Sequence, residues 1–246
     1  MTPSQPLVPS VVVLHGALGS GGQMQPVVEA LRAQRRYAEV LAVELPGHGR
    51  TPLAAESAFD LRTFALALQA AIHDAGLVRP VVFGYSMGGY VALLLELLAP
   101  GTIGGIVTLG TMLHWTPTIA TAAASRLDPQ VISAKLPAYA ATLAARHSGV
   151  GGWEVVLTRT AAMLRELGEE PLLTNALLGS IHCPVRLLVG GRDDSVSLDD
   201  AVGAAAHLPR ARAALLPDVP HPIEKVDVQL VCNEVSDLAS QLISGD

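Results

Sequence analysis

A serine, an aspartate and a histidine able to act together on a carbonyl group stand far apart in this sequence, at Ser86, Asp193 and His221. Ser86 lies in Val81-Val82-Phe83-Gly84-Tyr85-Ser86-Met87-Gly88-Gly89-Tyr90, an apolar run that turns at the serine into an aliphatic stretch starting at Val91. Such a sequence reads as strand, sharp turn and helix, with Gly84 and Gly88 giving room where the two elements would collide. A serine at the apex projects its hydroxyl, and the helix start behind it presents unpaired N–H groups and the positive end of its dipole. A serine hydroxyl becomes a nucleophile only when a base removes its proton and a third group orients that base. Asp193 or its neighbour Asp194 could orient, and His221 could be the base. His207, near the end of a predicted helix, is the weaker histidine.

The elements that would position these groups alternate. Predicted strands cover Val11 to Leu14, Val40 to Val43, Val81 to Phe83, Ile103 to Leu109, Val185 to Val189 and Ala211 to Leu216. Predicted helices cover Pro26 to Arg35, Asp60 to Asp74 with Asp60 as cap, 87 to 98, Leu198 to His207, and Glu224 to Ile243. Strands that are apolar throughout and alternate with helices indicate a parallel sheet covered on both faces, whose ligands bind beyond the carboxyl ends of the strands. His15, Gly47, Ser86, Asp193 and His221 all fall just past strand ends. The alternation stops from Thr111 to Ser180. That segment reads as several short helices broken at Pro117, Pro129, Pro137, Gly149 to Gly152 and Pro171, and contains Trp115, Tyr139 and Trp153. The expected fold is therefore α/β, a mostly parallel sheet of about six to eight strands flanked by helices. Residues 1–110 and 181–246 form its core and 111–180 a helical cap or lid.

The whole chain narrows the class further. It has 246 residues, half of them hydrophobic, which suffices for one large core with an insertion. A net charge of -6 without a basic run argues against nucleic acid as partner. No stretch of eighteen apolar residues occurs, so no membrane span is expected, and the start of the chain does not read as a secretory signal. Cys183 and Cys232 lack metal-ligand spacing and read as buried thiols in a reducing, cytoplasmic setting, with a disulfide between them left open. No His, Asp or Glu cluster has metal-site spacing, so neither metal nor cofactor is expected.

The chain resembles the α/β-hydrolase superfamily over nearly its whole length. The resemblance rests on Leu14-His15-Gly16-Ala17, Leu45-Pro46-Gly47-His48-Gly49, Gly84-Tyr85-Ser86-Met87-Gly88-Gly89, Gly190-Gly191-Arg192-Asp193 and the late His221. It implies the α/β-hydrolase fold, selects Asp193 over Asp194, and implies an oxyanion hole made by the backbone N–H groups of Ala17 and Met87. Two departures stand out. Pro220 precedes His221 where family members usually carry glycine, and the ten residues before β-branched Val11 leave little room for an N-terminal hairpin.

The implied activity is that of a serine hydrolase acting on a small ester, thioester, lactone or related acyl compound, with Leu18, Trp115, Tyr139 and Trp153 as pocket candidates. The Gly16 and Ser86 motifs are also similar to those of the menaquinone-pathway synthase that eliminates pyruvate from a cyclohexadiene carboxylate. That substrate is multiply anionic and would call for Arg126, Arg146, Arg159 or Arg165 in the pocket. A third reading is a non-catalytic ligand-binding protein on the same scaffold. The remaining histidines, His15, His48, His114 and His147, together with Glu44, Glu224 and Lys225, read as structural or loop groups.

Overall fold

The structure is a computed structural model and describes residues 8–244. Six strands, β1 (Val11–Leu14), β2 (Val40–Val43), β3 (Val81–Tyr85), β4 (Gly105–Leu109), β5 (Val185–Arg192) and β6 (Ala211–Pro220), form one sheet in the order β2-β1-β3-β4-β5-β6. Every adjacent pair is parallel. Because side chains alternate across a strand, the strands feed two cores. Val12, Leu14, Val82, Ile106 and Leu187 pack on one face with α2 (Leu61–Asp74), α3 (Met87–Leu98) and α9 (Leu198–Ala205). Val11, Val13, Phe83, Val107 and Leu188 pack on the other with α1 (Gln25–Ala33) and α10 (Val228–Ser244). Both faces being covered explains why the strands carry no polar alternation.

The strand order reverses between β1 and β3. The chain leaves β1 for the edge at β2 and then crosses back to β3, so the loops after β1 and β3 diverge and leave a crevice at their carboxyl ends. Ser86 and Gly16-Ala17 are the residues at that point.

Between β4 and β5 lie α4 (Pro117–Ser125), α5 (Pro129–Lys135), α6 (Pro137–Arg146), α7 (Trp153–Glu169) and α8 (Asn175–Leu178). The helices are interrupted at the expected prolines, and three of these, Pro117, Pro129 and Pro137, begin the helix that follows, since a first-turn N–H has no intrahelical acceptor to lose. Thr116 caps α4 by accepting from the Ile119 N–H, and Asp128 caps α5 by accepting from Gln130 and Val131. One element departs from the expected short helices: α7 runs unbroken for 17 residues. Asp60 caps α2 as expected, accepting from the Thr63 N–H at 2.7 Å.

β5 and β6 run past their apolar cores. Gly190 and Gly191 read as loop, yet they continue β5 because a Cβ on Gly190 would overlap the Val219 carbonyl of β6. After a register shift the two strands pair again at Arg192 and Pro220. The last helix expected from the sequence divides into a 3-10 turn at Ile223–Lys225 and α10. Both cysteines are free and buried. Among the described residues, no helix is long and apolar enough to cross a membrane.

Candidate active site

Ser86 occupies the turn between β3 and α3 with φ 52° and ψ -118°. A non-glycine residue there stores about 1–3 kcal/mol of backbone strain, which persists only where the surroundings enforce it. They do so from three sides. Gly84 lets the backbone of Gly88 and Gly89 pass directly against it, and a Cβ on Gly88 would come within 2.6 Å of the His15 carbonyl oxygen. The Ser86 N–H donates to the Leu109 carbonyl at 2.8 Å, and the Thr111 hydroxyl donates to the Ser86 carbonyl at 2.8 Å.

The paired ends of β5 and β6 place Asp193 beside His221. His221 Nδ1 lies 2.8 Å from Asp193 Oδ2. Asp193 Oδ1 accepts from the N–H groups of Ser195 and Val196 at 2.8 and 3.1 Å. Burial favours the neutral acid, but the hydrogen bond and charge of His221 and the two N–H donors outweigh it, so the Asp193 carboxyl sits below its ordinary range. An ionised acceptor at Oδ2 assigns the proton to Nδ1, which leaves His221 Nε2 with a lone pair. The Asp193 side chain is 1% exposed and that of His221 23%, a buried anion holding a reachable base. Gly110 makes the pair possible: its φ is +64°, and a Cβ there would stand 3.0 Å from Asp193 Oδ2 and 3.1 Å from His221 Nδ1. Asp194 has a different role, accepting from the Ser195 hydroxyl at 3.2 Å, and His207 lies exposed beyond α9.

The loops after β1 and β2 are held by buried polar groups. His15 Nε2 accepts from the Leu45 N–H at 3.0 Å, and His147, just after α6, accepts from the Gly49 N–H at Nδ1 (3.0 Å). That fixes the His147 proton on Nε2, which donates to the Leu18 carbonyl at 3.0 Å; Arg146 Nη1 donates to the same oxygen at 2.8 Å. Glu44 accepts from the N–H groups of Gly21 and Arg50 and from the Thr51 hydroxyl. Burial lowers the pKa of His15, His48 and His147, that of His15 to about 4. His48 stacks on Phe59 with 5.2 Å between ring centroids, and its Nε2 has no partner among the described residues. Leu18, at φ 59°, thus follows Ala17 in a turn pinned from the helical segment. Met87 begins α3, where its N–H has no carbonyl one turn back.

A cavity of about 540 Å³ opens over these groups, and Ala17, Leu18, Ser86, Met87 and His221 all line it. Trp115 and Tyr139 line it as well. Trp153 does not: it is 7% exposed and packs with Ile132, Leu143 and Val156 inside the helical segment, so it stabilises that segment instead of walling the pocket. Of the four arginines, Arg126 and Arg146 reach the cavity wall, while Arg159 lies over the Phe59 ring. Glu224, read from the sequence as a structural or loop charge, stands in the wall, and Gln23 and Thr160 join it without a signal in the sequence. His114 is exposed, and no group of three or more His, Cys, Asp or Glu able to hold a metal occurs among the described residues.

The model of the alpha/beta hydrolase family matches residues 11–228. The chain belongs to that family. Among curated members, an sn-1-specific diacylglycerol lipase of Mus musculus is 32% identical over 102 residues, 42% of this chain and 32% of the relative. A 2-succinyl-6-hydroxy-2,4-cyclohexadiene-1-carboxylate synthase of Pectobacterium atrosepticum is 33% identical over 113 residues, 42% of each chain. The chain therefore spans less than half the length of these relatives. The crystal structure of NosK from Streptomyces actuosus is similar with a TM-score of 0.79 at 24% identity, covering 96% of this chain and 99% of that one. The alpha/beta hydrolase fold is a frame on which different reactions are built.

Proposed function

We propose that this alpha/beta hydrolase is a serine hydrolase that cleaves a small ester, thioester, lactone or related acyl substrate through an acyl-enzyme. The observation that carries the reading is the 2.8 Å contact of His221 Nδ1 with Asp193 Oδ2, at the wall of the same cavity that receives Ser86 on its strained turn. In this reading Ser86 Oγ attacks the carbonyl carbon as His221 Nε2 takes the hydroxyl proton. The Ala17 and Met87 N–H groups hold the oxyanion, each such donor being worth about a hundred- to a thousandfold in rate. Asp193 keeps the imidazole in the required tautomer and stabilises the imidazolium. His221 returns the proton to the departing group, then activates a water that releases the acid from Ser86. Residues 111–180 serve as the cap that shapes the substrate, and the two free cysteines fit a reducing, cytoplasmic setting.

Turnover of short p-nitrophenyl esters by the wild type, lost in Ser86→Ala, is the expected result. Turnover that survives in Ser86→Ala, or none in the wild type, would count against the reading. A second reading, a lyase, draws on the partial match to the cyclohexadiene carboxylate synthase and on Arg126 and Arg146 in the cavity wall. Arg146 is already paired with Glu224 at 3.0 Å, which leaves Arg126 as the wall arginine without an ion-pair partner among the described residues to meet a multiply anionic substrate. Release of pyruvate from the synthase substrate, without ester turnover, would favour that alternative.

A further inference from the structure

The cavity is chemically two-sided. Along α4 and α7 its wall is mostly apolar, with Ile119, Ala122, Met163 and Leu164 among its residues and Met112 and Trp115 leading in from β4; Thr160 on α7 and Arg126 after α4 are the polar exceptions there. On the side of the β6 loop it is polar. Glu224, three residues beyond His221, accepts from Gln23 Nε2 at 2.8 Å and from Arg146 Nη2 at 3.0 Å, both on Oε1. All three side chains line the cavity, with Tyr139 beside them. Tyr85 ties this patch to the catalytic end: its ring lies 5.5 Å from that of His221, and the Glu224 charge helps raise its phenol, after the larger effect of burial.

The chemistry of acyl transfer assigns the polar side. As the tetrahedral adduct collapses, the bond between the carbonyl carbon and the alcohol oxygen breaks, its electron pair goes to that oxygen, and His221 supplies the proton. The acyl group stays on Ser86 Oγ. The leaving oxygen must therefore come within reach of His221, on the side of the cavity that carries the Glu224 patch.

Resting on the serine-hydrolase reading, we infer that the Gln23–Arg146–Glu224 patch is a leaving-group subsite for an alcohol bearing a free hydroxyl. Its charge argues for a neutral polar group. The Glu224 carboxyl sits below its usual range, since its bonds to Gln23 and Arg146 outweigh burial, so the patch is a carboxylate and a guanidinium that cancel. With a bond from its own backbone N–H beside those from Gln23 and Arg146, the carboxylate, which has about four acceptor sites in all, still has capacity left over, and half of the Glu224 side chain is exposed. A hydroxyl can donate to that carboxylate. An anionic leaving group would meet Glu224, and a cationic one would meet Arg146. The Gln23 amide is held in one orientation by Glu224, since only its nitrogen can donate to that carboxylate, which leaves Oε1 against Gly19 without a hydrogen-bond partner among the described residues.

The experiment compares two near-isosteric esters of one acid, 2-hydroxyethyl butyrate and propyl butyrate, which differ by a hydroxyl in place of a methyl group. The wild type is expected to favour the hydroxyethyl ester in kcat/KM by about tenfold, the worth of one hydrogen bond to a charged group. In Glu224→Ala that ratio should fall to about one, and in the isosteric Glu224→Gln it should lie between. A wild type without the preference, or a Glu224→Ala protein that keeps it, overturns the subsite while Ser86-dependent turnover of both esters leaves the serine-hydrolase reading standing. Failure of both esters to turn over at all sinks the two together.

Discussion

The loops after β5 and β6 and the loops after β1 and β2 both bring histidines to the carboxyl end of the sheet, yet they treat the imidazole in opposite ways. At β6, His221 stands at the cavity wall against an ionised Asp193. Behind the β1 and β2 loops, His15, His48 and His147 are buried, lowered in pKa and bonded mostly to backbone groups. A histidine with a carboxylate partner and access to a cavity can gain and return a proton. A desolvated one serves as a neutral connector that holds loop geometry. The first end would carry the chemistry, and the second would hold the oxyanion turn still.

The widest break in this comparison comes at the β5–β6 end. Ser86→Ala or His221→Ala should lower kcat by about a millionfold in steady-state ester hydrolysis, and the double variant should lose no more, because the groups act as a unit. Asp193→Asn should cost about ten-thousandfold, since the amide no longer fixes the tautomer. Similar losses from His15→Gln would erase the distinction between the two ends.

The next effect is one of stability. The folded state holds His15 neutral down to about pH 4, whereas the unfolded chain takes up its proton near pH 6.5. Below pH 6.5 the unfolded state binds more protons, so stability falls as pH drops from there to about 4, by about 3 kcal/mol from His15 alone. Urea unfolding of the wild type and His15→Gln over this range should give a shallower slope for the variant. An unchanged slope would mean that His15 does not carry the linkage.

A smaller effect tests whether the two ends cooperate. His147→Ala would strand the Gly49 N–H and remove one of two donors to the Leu18 carbonyl, costing about 1–3 kcal/mol of stability. If the turn at Leu18 positions the Ala17 N–H, kcat should drop by about tenfold with KM little changed. A loss confined to thermal stability would reduce His147 to packing.

Much of this was legible in the sequence because local chemistry decides it. Gly84 and Gly88 announce the turn at Ser86, Asp60 announces the start of α2, and runs such as Val11 to Leu14 announce fully buried strands. Where the sequence falls short, the deciding contact is distant. Gly190 belongs to β5 only because the Val219 carbonyl lies against it. Trp153 looks like a pocket residue until Leu143 and Val156 enclose it. Arg146 meets the Leu18 carbonyl across 128 positions and Glu224 across 78, separations that leave no periodic trace. Tyr90 shows the same limit, its hydroxyl accepting from the Leu173 N–H at 2.9 Å between α3 and the end of the helical segment.

The central claim, that Ser86 is an activated nucleophile, is met most directly by intact-mass analysis after exposure to a fluorophosphonate. One covalent adduct is expected on the folded wild type, mapped to Ser86 and absent from Ser86→Ala and from His221→Ala on the same timescale. A folded wild-type protein that stays unmodified, or an adduct mapped to another serine, would contradict that claim.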